Sequence, residues 1–99
     1  MVQALIVKEP LSNGDAKALL VKIITEGGRL DFSSHALAEL ANDQLDMASA
    51  TKVILSGYVE GADLILGSWR YRVRTTRVVV AVAFRSDTWA VVVTAWKKR

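Results

Sequence analysis

The chain has 99 residues, enough to bury one core but not two, and 52% of them are hydrophobic, which argues against disorder. It has no cysteine and one histidine, so neither a disulfide framework nor a Cys/His zinc site can be built from it. Its net charge of +3 conceals an asymmetry: residues 1–68 carry Lys8, Lys17, Lys22, Arg29 and Lys52 against nine acids, whereas residues 69–99 carry Arg70, Arg72, Arg74, Arg77, Arg85, Lys97, Lys98 and Arg99 against Asp87 alone.

The two parts therefore hold −4 and +7 charges, and a field segregated in this way favours a polyanion over one surface of the fold. The longest apolar runs, Val78–Phe84 and Trp89–Val93, are far shorter than the ~20 residues that span a bilayer. Met1–Lys8 is apolar but lacks a basic start and a small-residue cleavage site. A cytoplasmic protein without a membrane partner is expected. The only proline is Pro10 and no linker composition occurs, so residues 1–99 are expected to form a single domain.

Three helices are predicted first. Ser12 can cap a helix with Asp15 at its third position, and Ala16, Leu19, Leu20, Ile23 and Ile24 form one apolar stripe until Gly27 or Gly28 stops it. Ser33 or Ser34 can cap a second, short helix with Leu37, Leu40 and Ala41 on its inner face, ending near Asn42. Asp46 caps a third, with Met47, Ala50, Val53 and Ile54 inward and Gly57 at its end. The Leu30–Phe32 link is too short to assign, although an extended form suits it.

After Gly57 the period changes from helical to alternating. Tyr58–Glu60 suits a short strand, with Glu60-Gly61-Ala62-Asp63 as a turn. Trp69–Thr75 alternates bulky and basic residues, and Arg77–Phe84 reads as a strand buried on both faces. Arg85–Thr88 is a polar turn and Trp89–Trp96 the last strand. Connections this short make neighbouring strands antiparallel. The expected fold is α+β: three N-terminal helices, about residues 12–56, packed on a three- to four-stranded antiparallel meander, about residues 58–96.

Strand spacing places Arg70, Arg72 and Arg74 on one face. Like charges ~7 Å apart repel by about 0.6 kcal/mol per pair even in water. Phosphate binding by planar guanidinium forks offsets that, and protection of a solvent-facing strand is the alternative. Arg77 and the Lys97-Lys98-Arg99 tail favour anion binding. His35 falls in the first turn of the second helix, where the dipole disfavours the imidazolium and leaves a ring able to accept a proton. A solvent-facing histidine with no role is the alternative. Thr94 and Trp96 share parity on the last strand, where a hydroxyl can orient a phosphate and an indole can stack on a base, against plain sheet packing.

No Walker A, G-x-G-x-x-G or G-x-S-x-G pattern occurs, so no nucleotide cofactor is expected. Asp31, Glu39, Asp43, Asp46, Glu60 and Asp63 are scattered over predicted loops and helix caps, and a two-metal nuclease is not expected. No metal-binding residue is assigned. Phosphoryl chemistry would then proceed through a ribose 2′-hydroxyl, for which a base, an acid and cations on the phosphate suffice.

Trp69–Val80 resembles the strand–turn–strand of RelE-type toxins, in which alternating basic residues precede a turn and an arginine opening the next strand. Phe32-Ser33-Ser34-His35-Ala36-Leu37, followed by a second helix and Gly57, and the stretch Val91–Trp96 are similar to the MqsR-like or DUF4258 group. The resemblance implies a metal-independent endoribonuclease toxin, with RNA as substrate, a cognate antitoxin as partner and the ribosome as a further candidate. It implies catalytic roles for His35, Arg70, Arg72 and Arg77. Arg74, Thr94, Trp96, Lys97, Lys98 and Arg99 would contact RNA. The same basic face also fits a non-catalytic nucleic-acid-binding module, or a domain docking an acidic protein.

Overall fold

In a computed structural model of the chain, residues 7–98 are described. In chain order they form α1 (Asn13–Thr25), β1 (Arg29–Phe32), α2 (Ser34–Asn42), α3 (Met47–Ser56), β2 (Tyr58–Ile65), β3 (Ser68–Arg74), β4 (Val78–Ser86) and β5 (Trp89–Lys97). Each helix begins where a side chain accepts an otherwise orphaned backbone N–H. Ser12 Oγ accepts from Asp15 N at 3.1 Å, Ser33 Oγ from Ala36 N at 3.0 Å, and Asp46 Oδ1 from Ser49 N at 2.8 Å. The Ser49 hydroxyl accepts in turn from Asp46 N, closing a capping box.

The end of α1 is a Schellman turn: Gly27 takes φ +78°, and Gly28 N donates to Ile23 O at 2.8 Å. At the end of α3, Lys17 reaches across from α1 and donates to the carbonyls of Ile54, Leu55 and Gly57 at 2.6, 2.8 and 2.6 Å. A cation there complements the helix dipole, although burial lowers the ammonium's pKa. Gly57 is needed for close approach, since a Cβ would lie 2.7 Å from Val53 O and against the carbonyl of Arg74.

The strand order is β1-β5-β4-β3-β2. The expected antiparallel meander is present as β2–β5, with four strands. A fifth strand corrects the expected count: the Leu30–Phe32 link belongs to β1, which pairs parallel to β5 from Arg29↔Trp89 to Phe32↔Val92. The turn after α1 delivers Arg29 N to Thr88 O at 2.8 Å, so four residues suffice to join the sheet. The turn expected at Glu60–Asp63 is also displaced. Those residues lie inside β2, where a bulge between Val59 and Gly61 absorbs the irregularity. The chain reverses instead at Leu66-Gly67, both at positive φ (50° and 78°), as a two-residue hairpin turn requires.

Helices α1 and α3 cover one face of the sheet, burying Leu20, Ile23 and Ile54 against Tyr71, Val73, Val80, Val82 and Val92. Tyr71 is fully buried; its hydroxyl donates to Glu9 Oε2 and accepts from Leu11 N, both at 2.9 Å, and its ring meets Phe84 edge-on at 5.2 Å. Leu37 and Met47, expected inward, are 43% and 54% exposed. Leu40 is buried as expected, but its companion on the inner face of α2 is Ala36 rather than Leu37 or Ala41, which is exposed as well, because α2 lies against the margin of β5 rather than over the sheet. No described helix is long and apolar enough to cross a membrane.

That margin explains the short second helix. Strand β1 ends opposite Val92, which leaves the rest of β5 without a neighbour on that side. The chain leaving β1 fills the gap: Ser33 N donates to Val92 O and Ser33 Oγ to Val93 O, both at 2.9 Å. Glu39 then accepts from Ala95 N at 3.3 Å, and Asp43 from Lys97 N at 2.9 Å. Four residues of helix rise ~6 Å and two residues of strand ~6.7 Å, so carboxylates spaced i, i+4 meet strand amides spaced i, i+2. Helix α2 thus seals a strand edge with side chains.

Candidate functional site

The face of the sheet opposite α1 and α3 carries Arg70, Arg72, Arg74, Thr94 and Trp96, five of the ten residues singled out from the sequence. Paired residues in neighbouring strands share a face. Arg72 is opposite Ala81 and Ala81 opposite Thr94; Arg74 is opposite Val79 and Val79 opposite Trp96. Two rows therefore cross β3, β4 and β5, each spanning about two strand spacings, ~10 Å between outer Cα atoms. Val79, Ala81, Ala83 and Val91 form the floor; they are buried, yet stand outside the main core cluster.

Beyond Thr94 the first row continues onto α2. The Thr94 hydroxyl donates to Glu39 Oε1, and the same oxygen lies 3.1 Å from His35 Nε2. His35 and Glu39 are four residues apart on one helix, which places the exposed imidazole over the half-buried carboxylate. The carboxylate oxygen is within ion-pairing distance of Nε2, and Nδ1 is the ring nitrogen that it does not contact. Histidine and arginine are thus on the same side of the domain, joined by one row: His35, Glu39, Thr94, Ala81 and Arg72. Sequence reasoning missed Glu39; its i+4 spacing from His35 was the available signal. The assignment of Thr94 to a phosphate meets a competing partner, because its hydroxyl proton is committed to Glu39.

Electrostatics on the arginine side differ from the segregated field expected. Strand β2 pairs with β3 and returns two acids from the acidic part of the chain to the basic strand. Arg72 is ion-paired to Asp63 and to Glu60 at 3.3 Å, and Arg74 to Glu60 at 3.3 Å. Burial works to raise the Glu60 pKa, but hydrogen bonds from Arg72 and Arg74 outweigh it and hold the carboxyl below its usual range. The Asp63 hydrogen bond raises the already high pKa of Arg72. Arg70 faces Asp63 across the hairpin, and its Nε is buried without a hydrogen-bond partner among the described residues.

Arg77 is exposed in the turn before β4, where its carbonyl accepts from Lys98 N at 2.6 Å. This joins the arginine to the start of the basic tail rather than to the Arg72 row. Lys97 pairs with Val78 and has the parity of the helix-covered face. Lys97 and Lys98 line a cleft of about 470 Å³ with Glu39, Asn42, Asp43 and Trp96, next to the His35–Glu39 pair. Arg99 lies outside the described residues. At the far side of the face, Asp31 accepts from Arg29 Nε at 3.0 Å and from Trp89 Nε1 at 3.0 Å, while the Arg29 guanidinium stacks 4.6 Å above the Trp89 ring. No group of three or more metal-ligating side chains occurs among the described residues. Compared with protein-family models, curated proteins and solved structures, the chain shows no match.

Proposed function

We infer that the protein is a metal-independent endoribonuclease of the toxin type, acting on RNA in the cytoplasm, free or on the ribosome, and restrained by a cognate antitoxin. One observation carries this reading: the row that joins His35 and Glu39 through Thr94 and Ala81 to Arg72 across the open face. At one end of the row stands an imidazole, and at the other Arg72, whose guanidinium lies over Gly61 beside Glu60 and Asp63 of β2.

In the proposed reaction, His35 Nδ1 takes the proton of a ribose 2′-hydroxyl, whose oxygen attacks the adjacent phosphorus. The P–O5′ bond breaks, giving a 2′,3′-cyclic phosphate, and the imidazolium returns its proton to the departing 5′ oxygen. Glu39, with Oε1 3.1 Å from Nε2, lies beside the imidazole while the proton is carried. Arg72 neutralises charge developing on the phosphate, with Arg70 and Arg74 alongside. Trp96, in the row of Arg74, offers a stacking surface for a base, and Arg77 and Lys98 lie beyond it at the end of β5.

The test is incubation of purified protein with RNA in EDTA, with and without ribosomes, followed by analysis of the product termini. Cleavage yielding cyclic phosphates and abolished in His35→Ala supports the reading. Absence of cleavage in both settings, or full activity of the His35→Ala variant, overturns it. Salt-dependent RNA binding without hydrolysis would identify the non-catalytic module instead.

A further inference from the structure

Among the described residues, β2 ends the sheet, and half of the large apolar side chains left exposed belong to it or to its turn: Tyr58 at 58%, Leu64 at 57%, Ile65 at 41% and Leu66 at 98%, of eight in all. A terminal strand with unpaired backbone groups and apolar ends invites pairing with another strand. The pairing of β3 with β4 stops at Tyr71↔Val82, while β2 and β3 continue together to Ile65↔Ser68. The hairpin therefore projects as a two-stranded arm, an arrangement of marginal stability alone.

We propose that this edge pairs with the same edge of a second copy of the chain, joining two sheets into one of ten strands about a twofold axis through Ala62. The register follows from parity. Against β3, the residues of β2 facing the arginine side are Tyr58, Gly61, Asp63 and Ile65, and those facing the helices are Val59, Ala62 and Leu64, with Glu60 the extra residue of the bulge. In an antiparallel pair, opposed residues must share a face. Centring on Ala62 opposite Ala62 satisfies this throughout: Asp63 meets Gly61, the bulge takes up Glu60, Leu64 meets Val59, and Ile65 meets Tyr58.

Leu64 and Ile65 at one end of β2 then cover Val59 and Tyr58 at the other end of its twin, as an isologous contact requires, while Leu66 lies in the turn beyond the paired segment. The acids near the axis do not oppose this pairing. Glu60 and Asp63 are already held by Arg72 and Arg74 of their own chain, so these four side chains carry no net charge at the seam. The two open faces become one continuous surface.

Sedimentation equilibrium of the full chain at micromolar concentration should give a dimer. Leu64→Lys with Ile65→Lys, both exposed in the single chain, should give a monomer with unchanged circular dichroism, whereas Leu37→Lys on α2 should leave the dimer intact. Because the chain has no cysteine, a Tyr58→Cys, Ile65→Cys double variant tests the register. These positions lie ~23 Å apart along one strand, too far for a bridge within one chain, so oxidation should yield a covalently linked dimer. A monomer for the native chain overturns the proposal and points to residues 1–6 or a different protein as the cover for β2. A dimer that survives the double lysine variant, or that gives no disulfide, overturns it as well.

Discussion

Arg72 and Thr94 stand in one row of the open face with only Ala81 between them, and Thr94 passes the row on to Glu39 and His35. This alignment joins residues far apart in the chain into one candidate site. It also separates two roles that residue type alone leaves merged. Arg72 is held by Glu60 and Asp63 of β2, while Thr94 and Glu39 stand beside the imidazole of His35.

With roles divided in this way, His35→Ala should lower the cleavage rate by about 10²–10⁴-fold, the usual contribution of a general acid/base. Glu39→Gln, which keeps the size and an acceptor oxygen, gives an intermediate loss. Nitrogen-15 shifts of the imidazole provide a readout independent of activity. The native protein should show the proton on Nε2, and Glu39→Ala, which removes the acceptor, should weaken that preference. Equal tautomer populations in both proteins would remove Glu39 from the mechanism.

Glu60 restrains the arginine row, so its removal should strengthen polyanion binding. Glu60→Gln is expected to tighten RNA binding and steepen its salt dependence, by ~0.7 in log–log slope for each further single-strand phosphate that the freed guanidinium groups neutralise. Acidification acts in the same direction on the same group. The folded carboxyl has a lowered pKa, so its contribution to stability is complete above the ordinary carboxylate pKa and is lost as pH falls through the folded value. RNA titrations of the native and Glu60→Gln proteins at several salt concentrations check this; weaker binding by the variant would contradict it.

Ser33 has two tasks, capping α2 through Ala36 N and donating to Val93 O on β5. Ser33→Ala should cost about 1–2 kcal/mol, at the upper end for loss of a cap, because a strand carbonyl loses its partner as well. Urea denaturation should show a lower midpoint with little change in slope. A loss no larger than that of a solvent-facing control, Ser34→Ala, would show that the strand contact contributes nothing.

Tyr71 supplies an alkaline signature. Burial, the largest cause, and the Glu9 carboxylate push its pKa up to about 12, although the Leu11 amide favours the ionised form. A raised folded pKa gives stability that is complete below the ordinary tyrosine value near 10 and is lost as pH climbs through 12. Stability should therefore fall by up to ~3 kcal/mol across that window. Tyr71→Phe should be less stable at neutral pH and should lose the part of the alkaline decline that Tyr71 contributes; an identical pH profile would refute the assignment.

Caps and periodicity were legible without coordinates. Ser12, Ser33 and Asp46 begin their helices because a side-chain oxygen one turn before an apolar stripe serves a local need, met within a few residues. The buried character of Val78–Phe84 was equally plain, since β-branched and small apolar residues with no polar alternation suit only a strand covered on both faces. The parity of Arg70, Arg72 and Arg74 followed from strand geometry alone.

What the chain alone determined was a set of local elements, an α+β order and a basic C-terminal third. Only the tertiary structure decided which residues meet. β1 adds a strand because a pairing across some sixty residues rewards four residues too short to signal themselves. Glu60 and Asp63 neutralise part of the arginine row because β2 folds back on β3, and Glu39 reaches both His35 and Thr94 because α2 seals the open margin of β5. Local structure depends on neighbours in sequence, whereas partners in charge and hydrogen bonding depend on the order of strands in the sheet.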